Sequence, residues 1–477
     1  MSVDTTDTMR PCLVAGETVA ATGELSVFNP YTKKQVGRVG LASRADLERA
    51  IEAAVGYSCE LSRYERSQIL IRTGELIADR REEFARGITD ETGLCMRESR
   101  YEVGRALDVL SFAAGAALED EGETFSCDIS PNGKQRKIFT LREPLSLVAA
   151  ITPFNHPLNT VIHKLAPAVA VGSPVILKPS EKTPLTSFRL ADALYEAGLP
   201  KPMLSVLLGE TDAISVPLVT DERTSLVSFT GSVAVGKRIA ATAGYKKLVL
   251  ELGGNDPLIV LANGDLSLAV KLAAEGAFRN SGQRCTAVKR ILVEESVLAE
   301  FTERLVERVG EYPCGDPYNA ETRVGTVIDE DSARYLETVV NEAVAAGARV
   351  LAGGKRDGAL MEPTIIDQVP RDARMVVKES FGPLAPIIAV RDLDDAIAVA
   401  NSTDYGLSSG VVTESLPDAI KAIKSLRTGT VNINEVPGYR IEKSPFGGIK
   451  DSGLGIKEGV LEAMRCMTTV KSYSLPW

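Results

Sequence analysis

Histidine is almost absent from this chain of 477 residues: there are two, His156 and His163, seven positions apart. A histidine-rich metal centre has nothing to be built from, and a mechanism that needs several imidazoles is excluded. Acid–base work must fall to carboxylates, lysines or a cysteine. No uninterrupted apolar stretch approaches the ~20 residues of a membrane-spanning helix. The opening MSVDTTDTMRPC has no apolar run of the kind a secretory signal carries. Positive charge is also in deficit. Lys+Arg number 54 against 64 Asp+Glu, a net charge of −10, which argues against nucleic acid or an anionic membrane as the partner. The seven cysteines (12, 59, 95, 127, 285, 314, 466) are odd in number and show no CxxC spacing. They read as reduced thiols of a cytoplasmic protein, not as a disulfide framework or a zinc site.

What is present is an ordinary globular balance, 44% hydrophobic and 25% charged, long enough for two to four domains at roughly 150 residues each. Residues 44–119 carry apolar positions at helical spacing, as in ADLERAIEAAVG and RSQILIRTGELIADRREEFARGI. Two strand-like runs then flank Pro131-Asn132-Gly133, a turn-forming stretch; a lone two-stranded ribbon is marginal in water and must pack on something. From 145 to 252 short apolar runs alternate with helical segments (LSLVAAIT, SPVILKP, MLSVLLG, SLVSFTG, KLVLELGG), and the alternation resumes after 253. The pattern predicts α/β architecture with two doubly wound parallel sheets. The last run, MRCMTTVKSYSLP, is strand-like and free to pair with another edge.

A GxGxxG fingerprint after an early strand is missing; GLGIKEG at 453–459 is a partial match in the wrong context. SFTGSVAVGK is better placed, since an apolar run leads through Thr230-Gly231-Ser232 into a helix whose N-terminal N–H groups could face a diphosphate. A plain capping turn fits as well. Lys178 and Glu181 end the run VILKPSE, where a ribose could be held or a surface loop could lie. Glu251, at the end of LVLELGGND, is placed for a raised pKa and general-base work, or for a structural role against backbone amides. Cys285, in RNSGQRCTAVKR, stands among Arg284, Lys289 and Arg290, cations that would favour the nucleophilic thiolate; an inert buried thiol is the competing reading.

Taken in order, TPFNHP, ILKPSEKTP, FTGSVAVG, ELGGND, GQRC, ESFGP and PFGGIKDSGLGIKEG resemble the aldehyde dehydrogenase superfamily, from about residue 25 to the C-terminus. The resemblance implies an aldehyde dehydrogenase-like fold. A Rossmann-like cofactor domain would span 1–124 and 143–252, an α/β catalytic domain 253–458, and a β oligomerisation element 125–142 and 467–477. It implies that Cys285 attacks the aldehyde carbon and that Asn155, with the Cys285 N–H, forms the oxyanion hole. Hydride passes to the nicotinamide of NAD, and Glu251 activates water against the resulting thioester. Lys178, Glu181, Thr230, Gly231, Ser232, Glu379 and Phe381 are the implied cofactor contacts. No metal is implied, and the chain is expected to form a homodimer or homotetramer. Members that have lost the nucleophile or base serve as non-catalytic binding proteins, but here Cys285, Glu251 and Asn155 are all present.

For the substrate, Arg105, Arg284, Arg290 and Arg440 fall where members acting on phosphorylated or similar aldehydes carry anion-binding groups, and His156 follows Asn155. Guanidinium forks suit phosphate and phosphonate oxygens. The pattern most resembles members that oxidise phosphonoacetaldehyde to phosphonoacetate; non-phosphorylating glyceraldehyde-3-phosphate and lactaldehyde oxidation are the alternatives. The expectation is a small anionic aldehyde held by Arg105, Arg290 and Arg440 converging on one anion, with Arg284 either joining them or serving a structural role.

Overall fold

A computed structural model describes residues 9–476; residues 1–8 of the expected first segment and 477 of the last lie outside the described residues. Two seven-stranded sheets dominate. In the first, the order is Lys247–Glu251, Leu226–Thr230, Val148–Ile151, Val175–Lys178 and Leu204–Val206, all parallel, extended by the short strands Leu13–Val14 and Glu17–Thr18. The chain starts centrally at Val148–Ile151, winds outward through two strands, then returns to the other side through Leu226–Thr230. That reversal opens a crevice beyond Ile151 and Thr230, where open α/β sheets take their ligands.

The second sheet runs Arg349–Ala352, Thr364–Asp367, Leu384–Val390, Arg290–Glu294, Pro257–Val260, Ser408–Val412 and Thr430–Ile433, parallel except at its first pair. Its strands alternate strictly. Leu258, Val260, Ile291 and Val293 enter one apolar core, while Ile259 and Leu292 enter the core on the opposite face. The period of two along each strand explains why these runs are apolar at every position. A single core surrounds the first sheet and also takes in Val460 and Met467, so the helix Val460–Cys466 returns to the first half of the molecule.

The helical stretch at 66–88 is divided between two helices, Arg63–Asp79 and Arg81–Thr92, broken where Arg80 leaves helical geometry (φ −104°, ψ 24°). Strands Thr124–Ser126 and Arg136–Pro144 form the expected ribbon, with the turn closed by Gly133 N–H donating to the Ser130 carbonyl. The tail strand Thr468–Pro476 pairs antiparallel with Arg136–Pro144 over nine residues. The tail therefore joins the ribbon of its own chain, and among the described residues its other edge pairs with no strand. Among the described residues no helix is long and apolar enough to cross a membrane.

Candidate active site

A cleft of about 580 Å³ lies between the two halves, lined by Asn155, His156, Thr230, Gly231, Ser232, Glu251, Cys285, Glu379, Phe381 and four arginines. Backbone close approaches fold these motifs onto one another. A Cβ at Gly254 would stand 2.6 Å from the Cys285 carbonyl, and one at Gly447 2.6 Å from Glu251 Oε1. A Cβ at Gly253 would collide with the Glu379 carboxylate. Glycine is needed there because nothing larger leaves room.

Cys285 follows a strained turn. Asn280 (φ 56°), Ser281 (φ 51°) and Gly282 (φ 70°) are consecutive left-handed residues, at a cost of about 1–3 kcal/mol for each non-glycine residue. Asn280 Nδ2 ties the turn together by donating to the Asn155 carbonyl at 3.2 Å. Asn155 Nδ2 donates to the Gln283 carbonyl at 2.8 Å, which fixes the amide plane two residues from the thiol. With two N–H groups on that amide, one remains to serve an oxyanion near Cys285.

The expectation of a ready thiolate is corrected. Burial pushes the Cys285 thiol up to about 11 despite the opposing charge of Lys289. Lys289 is occupied elsewhere, donating to the carbonyls of Gly254 (2.8 Å) and Cys285 (2.6 Å) and pairing with Glu379 at 2.9 Å. Glu251 is 4% exposed and neither carboxylate oxygen has a hydrogen-bond partner. Burial, reinforced by the Glu458 charge, holds its pKa well above the usual carboxylate range. The buried thiol and the buried, unpartnered carboxyl line the same cleft.

Toward the first sheet, Ser232 caps the helix Val233–Thr242 by accepting from Val235 N–H, and the Gly231 N–H donates to the Glu251 carbonyl at 3.0 Å. Thr230 Oγ1 is buried without a partner. An orphaned hydroxyl, a helix N-terminus and the sheet's reversal point together fit a dinucleotide. Lys178 ends the strand Val175–Lys178 of the same sheet and is ion-paired with Glu181, whose side chain is half exposed. Phe381 (φ 57°) sets its ring edge-on to Phe154, centroids 5.8 Å apart.

At the other end the arginines divide. Arg290 is corrected: it is 2% exposed and its guanidinium donates to the carbonyls of Asn255, Val399 and Ala400 at 2.8–3.0 Å. It braces the second sheet and does not reach the cleft. Arg105, Arg284 and Arg440 all line the cleft. Arg284 gives two hydrogen bonds to the carbonyls of Glu275 and Gly276 and has no carboxylate partner; its Nε is unsatisfied. Burial and the neighbouring Arg279 lower it to about 10. Arg440 stacks on Phe446, 3.8 Å from the ring centroid, and lies 3.9 Å from Glu442, which also binds Arg105. His156 lines the same wall, with Nδ1 3.4 Å from Glu102, whose other oxygen accepts the N–H groups of Leu158 and Asn159. Sequence reading missed Arg279, held by Glu98 and stacked 4.3 Å over Tyr101, as well as Glu102, His163 and Glu442. Their partners are 54 to 337 residues away, so no local spacing announces them.

The sequence pattern of the aldehyde dehydrogenase family matches residues 18–473. The chain belongs to that family. It is 38% identical to a 3-sulfolactaldehyde dehydrogenase of Priestia megaterium over 95% of each chain. Aldehyde dehydrogenase 21 of Physcomitrella patens, solved with the reaction product succinate, superposes with a TM-score of 0.95 at 35% identity, covering 98% of each chain. A glyceraldehyde-3-phosphate dehydrogenase, GapN, of Methanocaldococcus jannaschii, solved with NADP, gives 0.91 at 36% identity, covering 95% of this chain and 99% of that one. The chain has the aldehyde dehydrogenase fold, with its Rossmann-like and catalytic halves, and the protein is an NAD(P)-dependent aldehyde oxidoreductase.

Proposed function

We propose that this enzyme oxidises a small aldehyde carrying an anionic group near its carbonyl, phosphonoacetaldehyde to phosphonoacetate foremost, with NAD. The observation that carries the reading is the pair Arg284 and Arg440: one buried guanidinium has no carboxylate, the other a shared one, and both line the wall beside Cys285. Buried cations so poorly compensated are costly unless an anion completes them. His156, on the same wall, adds a ring nitrogen suited to an oxygen of a two-carbon substrate.

Cys285 attacks the carbonyl carbon as Glu251, once ionised, takes up the thiol proton. The Asn155 amide and the Cys285 N–H hold the oxygen as it gains charge. The nicotinamide, when bound, supplies the hydride acceptor. Glu251, after releasing that proton to solvent, activates water to hydrolyse the thioester and release the acid. Thr230, Gly231 and Ser232 would hold the diphosphate, Lys178 and Glu181 the adenosine ribose, and Glu379 with Phe381 the nicotinamide end. The carboxylate of Glu181 would repel a 2′-phosphate of about −1.5 to −2 charges, which favours NAD. In domain terms, 1–124 with 143–252 would bind cofactor and 253–458 would carry catalysis. The ribbon at 125–142 with the tail at 467–477 would offer its open edge to a second chain in a cytoplasmic homodimer or homotetramer. A phosphorylated three-carbon aldehyde is the second reading, favoured by the likeness to GapN. The deciding measurement is kcat/KM for phosphonoacetaldehyde against glyceraldehyde-3-phosphate, lactaldehyde and succinic semialdehyde. A preference for lactaldehyde, which carries no anion, would reject the anionic class.

A further inference from the structure

Two helices of the cofactor half and one loop of the catalytic half meet at a single carboxylate. Glu442 sits in the loop after strand Thr430–Ile433, among the residues that present Tyr439, Arg440 and Phe446 to the cleft. It is 5% exposed. Its Oε1 accepts from Arg105 Nε, on helix Met96–Ala116, at 2.5 Å. Its Oε2 lies 2.6 Å from His163 Nε2, on helix Asn159–Val171, and 3.9 Å from the Arg440 guanidinium. Its backbone carbonyl accepts the Val460 N–H at 3.1 Å, so the loop is held at both the main chain and the side chain.

A carboxylate only accepts, so His163 must carry its proton on Nε2. His163 is 4% exposed, and burial lowers its pKa against the pull of Glu442. It thus donates as a neutral ring. Burial alone would raise Glu442, yet the His163 hydrogen bond and the guanidiniums of Arg105 and Arg440 hold it well below the usual carboxylate range. The next residue on the helix behaves differently: Lys164 pairs with Glu458 at 2.6 Å and donates to Ser228. At 163 a second lysine would satisfy Glu442 but add a positive charge to a wall that already holds Arg105 and Arg440. A neutral donor fixes the carboxylate without altering the charge that faces substrate.

We infer that Glu442 and His163 are positioning residues for anion recognition: Glu442 pins the loop bearing Arg440 against Arg105 across the two halves, and His163 fixes the orientation of that carboxylate. Glu442 is not among the residues lining the cleft, and His163 lies at its wall; both act through the groups they hold. The inference rests on the anionic-aldehyde reading above and names two residues through which that selectivity is set.

The test uses the full-length enzyme and measures KM and kcat for phosphonoacetaldehyde and for uncharged propanal in Glu442→Gln, His163→Leu and His163→Gln, with Arg440→Ala as reference. Glu442→Gln should raise KM for phosphonoacetaldehyde about tenfold, the scale of one charge-assisted hydrogen bond, with kcat and the propanal constants nearly unchanged. His163→Leu, similar in volume but without a donor, should move KM in the same direction by about threefold to tenfold. His163→Gln, whose amide keeps a donor, should restore it. If Arg440→Ala raises the anionic KM while Glu442→Gln and His163→Leu leave it alone, the positioning role is overturned and the substrate class stands. The role is also overturned if His163→Gln is as damaging as His163→Leu, since packing alone would then explain both. If Arg440→Ala itself leaves the anionic KM unchanged, the substrate class falls. Thermal unfolding of each variant identifies one that does not fold, and should Glu442→Gln fail to fold, the His163 pair decides alone.

Discussion

The two ends of the cleft are made differently. The cofactor end is built from strand termini and the turns that follow them: Thr230-Gly231-Ser232 after one strand, Lys178 and Glu181 after another two places along the sheet. Each of its clusters is short in sequence, as 178–181, 230–232 and 379–381. The anion end is built from side chains on helices and a loop that meet only in the folded chain, with Arg105 and Glu442 separated by 337 residues. Backbone sites leave motifs; side-chain networks leave scattered single residues. Cys285 and Glu251 stand where the two constructions join.

The largest expected effect lies at that junction. Cys285→Ala should abolish aldehyde oxidation while dinucleotide affinity, measured by fluorescence titration, stays nearly intact. Residual turnover well above background would remove the nucleophile from Cys285. Glu251→Gln should lower steady-state turnover by about 10²- to 10⁴-fold, the range of a lost general base, with acyl-enzyme visible by mass spectrometry. Because the Glu251 pKa is raised, the group is protonated and inactive as a base at low pH. The rate in the parent enzyme should therefore climb with pH as Glu251 ionises, and a profile of Glu251→Gln that keeps the same limb would assign it elsewhere.

Next come the arginines, which separate the cleft wall from the scaffold behind it. Arg440→Ala and Arg284→Ala should weaken binding of an anionic aldehyde by about 2–5 kcal/mol while sparing propanal. Arg290→Ala should instead lower thermal stability, because three carbonyls lose their donor, and should shift anionic and neutral KM values together. Selectivity lost in Arg290→Ala alone would invert the comparison. At the cofactor end, Glu181→Gln should improve NADP relative to NAD on the order of tenfold in kcat/KM, equivalent to about 1.4 kcal/mol. An unchanged ratio would free Glu181 from the ribose.

The smallest effect is on stability. Burial pushes Asp256 up to about 7 from an ordinary 3.8, with Oδ2 unpartnered. Between those values the unfolded chain has released a proton that the folded chain keeps, so this group's contribution falls as pH rises from about 4 to about 7. Asp256→Asn should flatten that portion of the stability profile in denaturant titrations across pH; an unaltered slope would exclude Asp256 as its source.

Much of the fold was legible because each half repeats a simple signal. The runs VAAI, VILK, LSV, LVSFT and KLVLE are apolar at most positions, as parallel strands covered on both faces must be, and each is a strand of the first sheet. The break at Arg80 was not legible, since Leu76 and Phe84 keep apolar spacing across it. The partner of the tail strand was not legible either: an unpaired edge in sequence says that pairing is needed, not with which chain. Nor was the fate of the cations around Cys285. Three basic residues within seven positions suggested a thiolate, yet Arg284, Lys289 and Arg290 all turn toward carbonyls, and burial wins.

By itself the sequence determined the class of chemistry and the order of the strands. A cysteine among basic residues, a strand-end carboxylate and only two histidines leave few mechanisms open, and short runs apolar at most positions specify strands covered on both faces. Only the tertiary structure decided which arginines face the cleft, which carboxylate binds them and what the thiol's proton affinity is. Those properties depend on distance and desolvation between groups from remote parts of the chain, and neither quantity exists until the two halves have closed on one another.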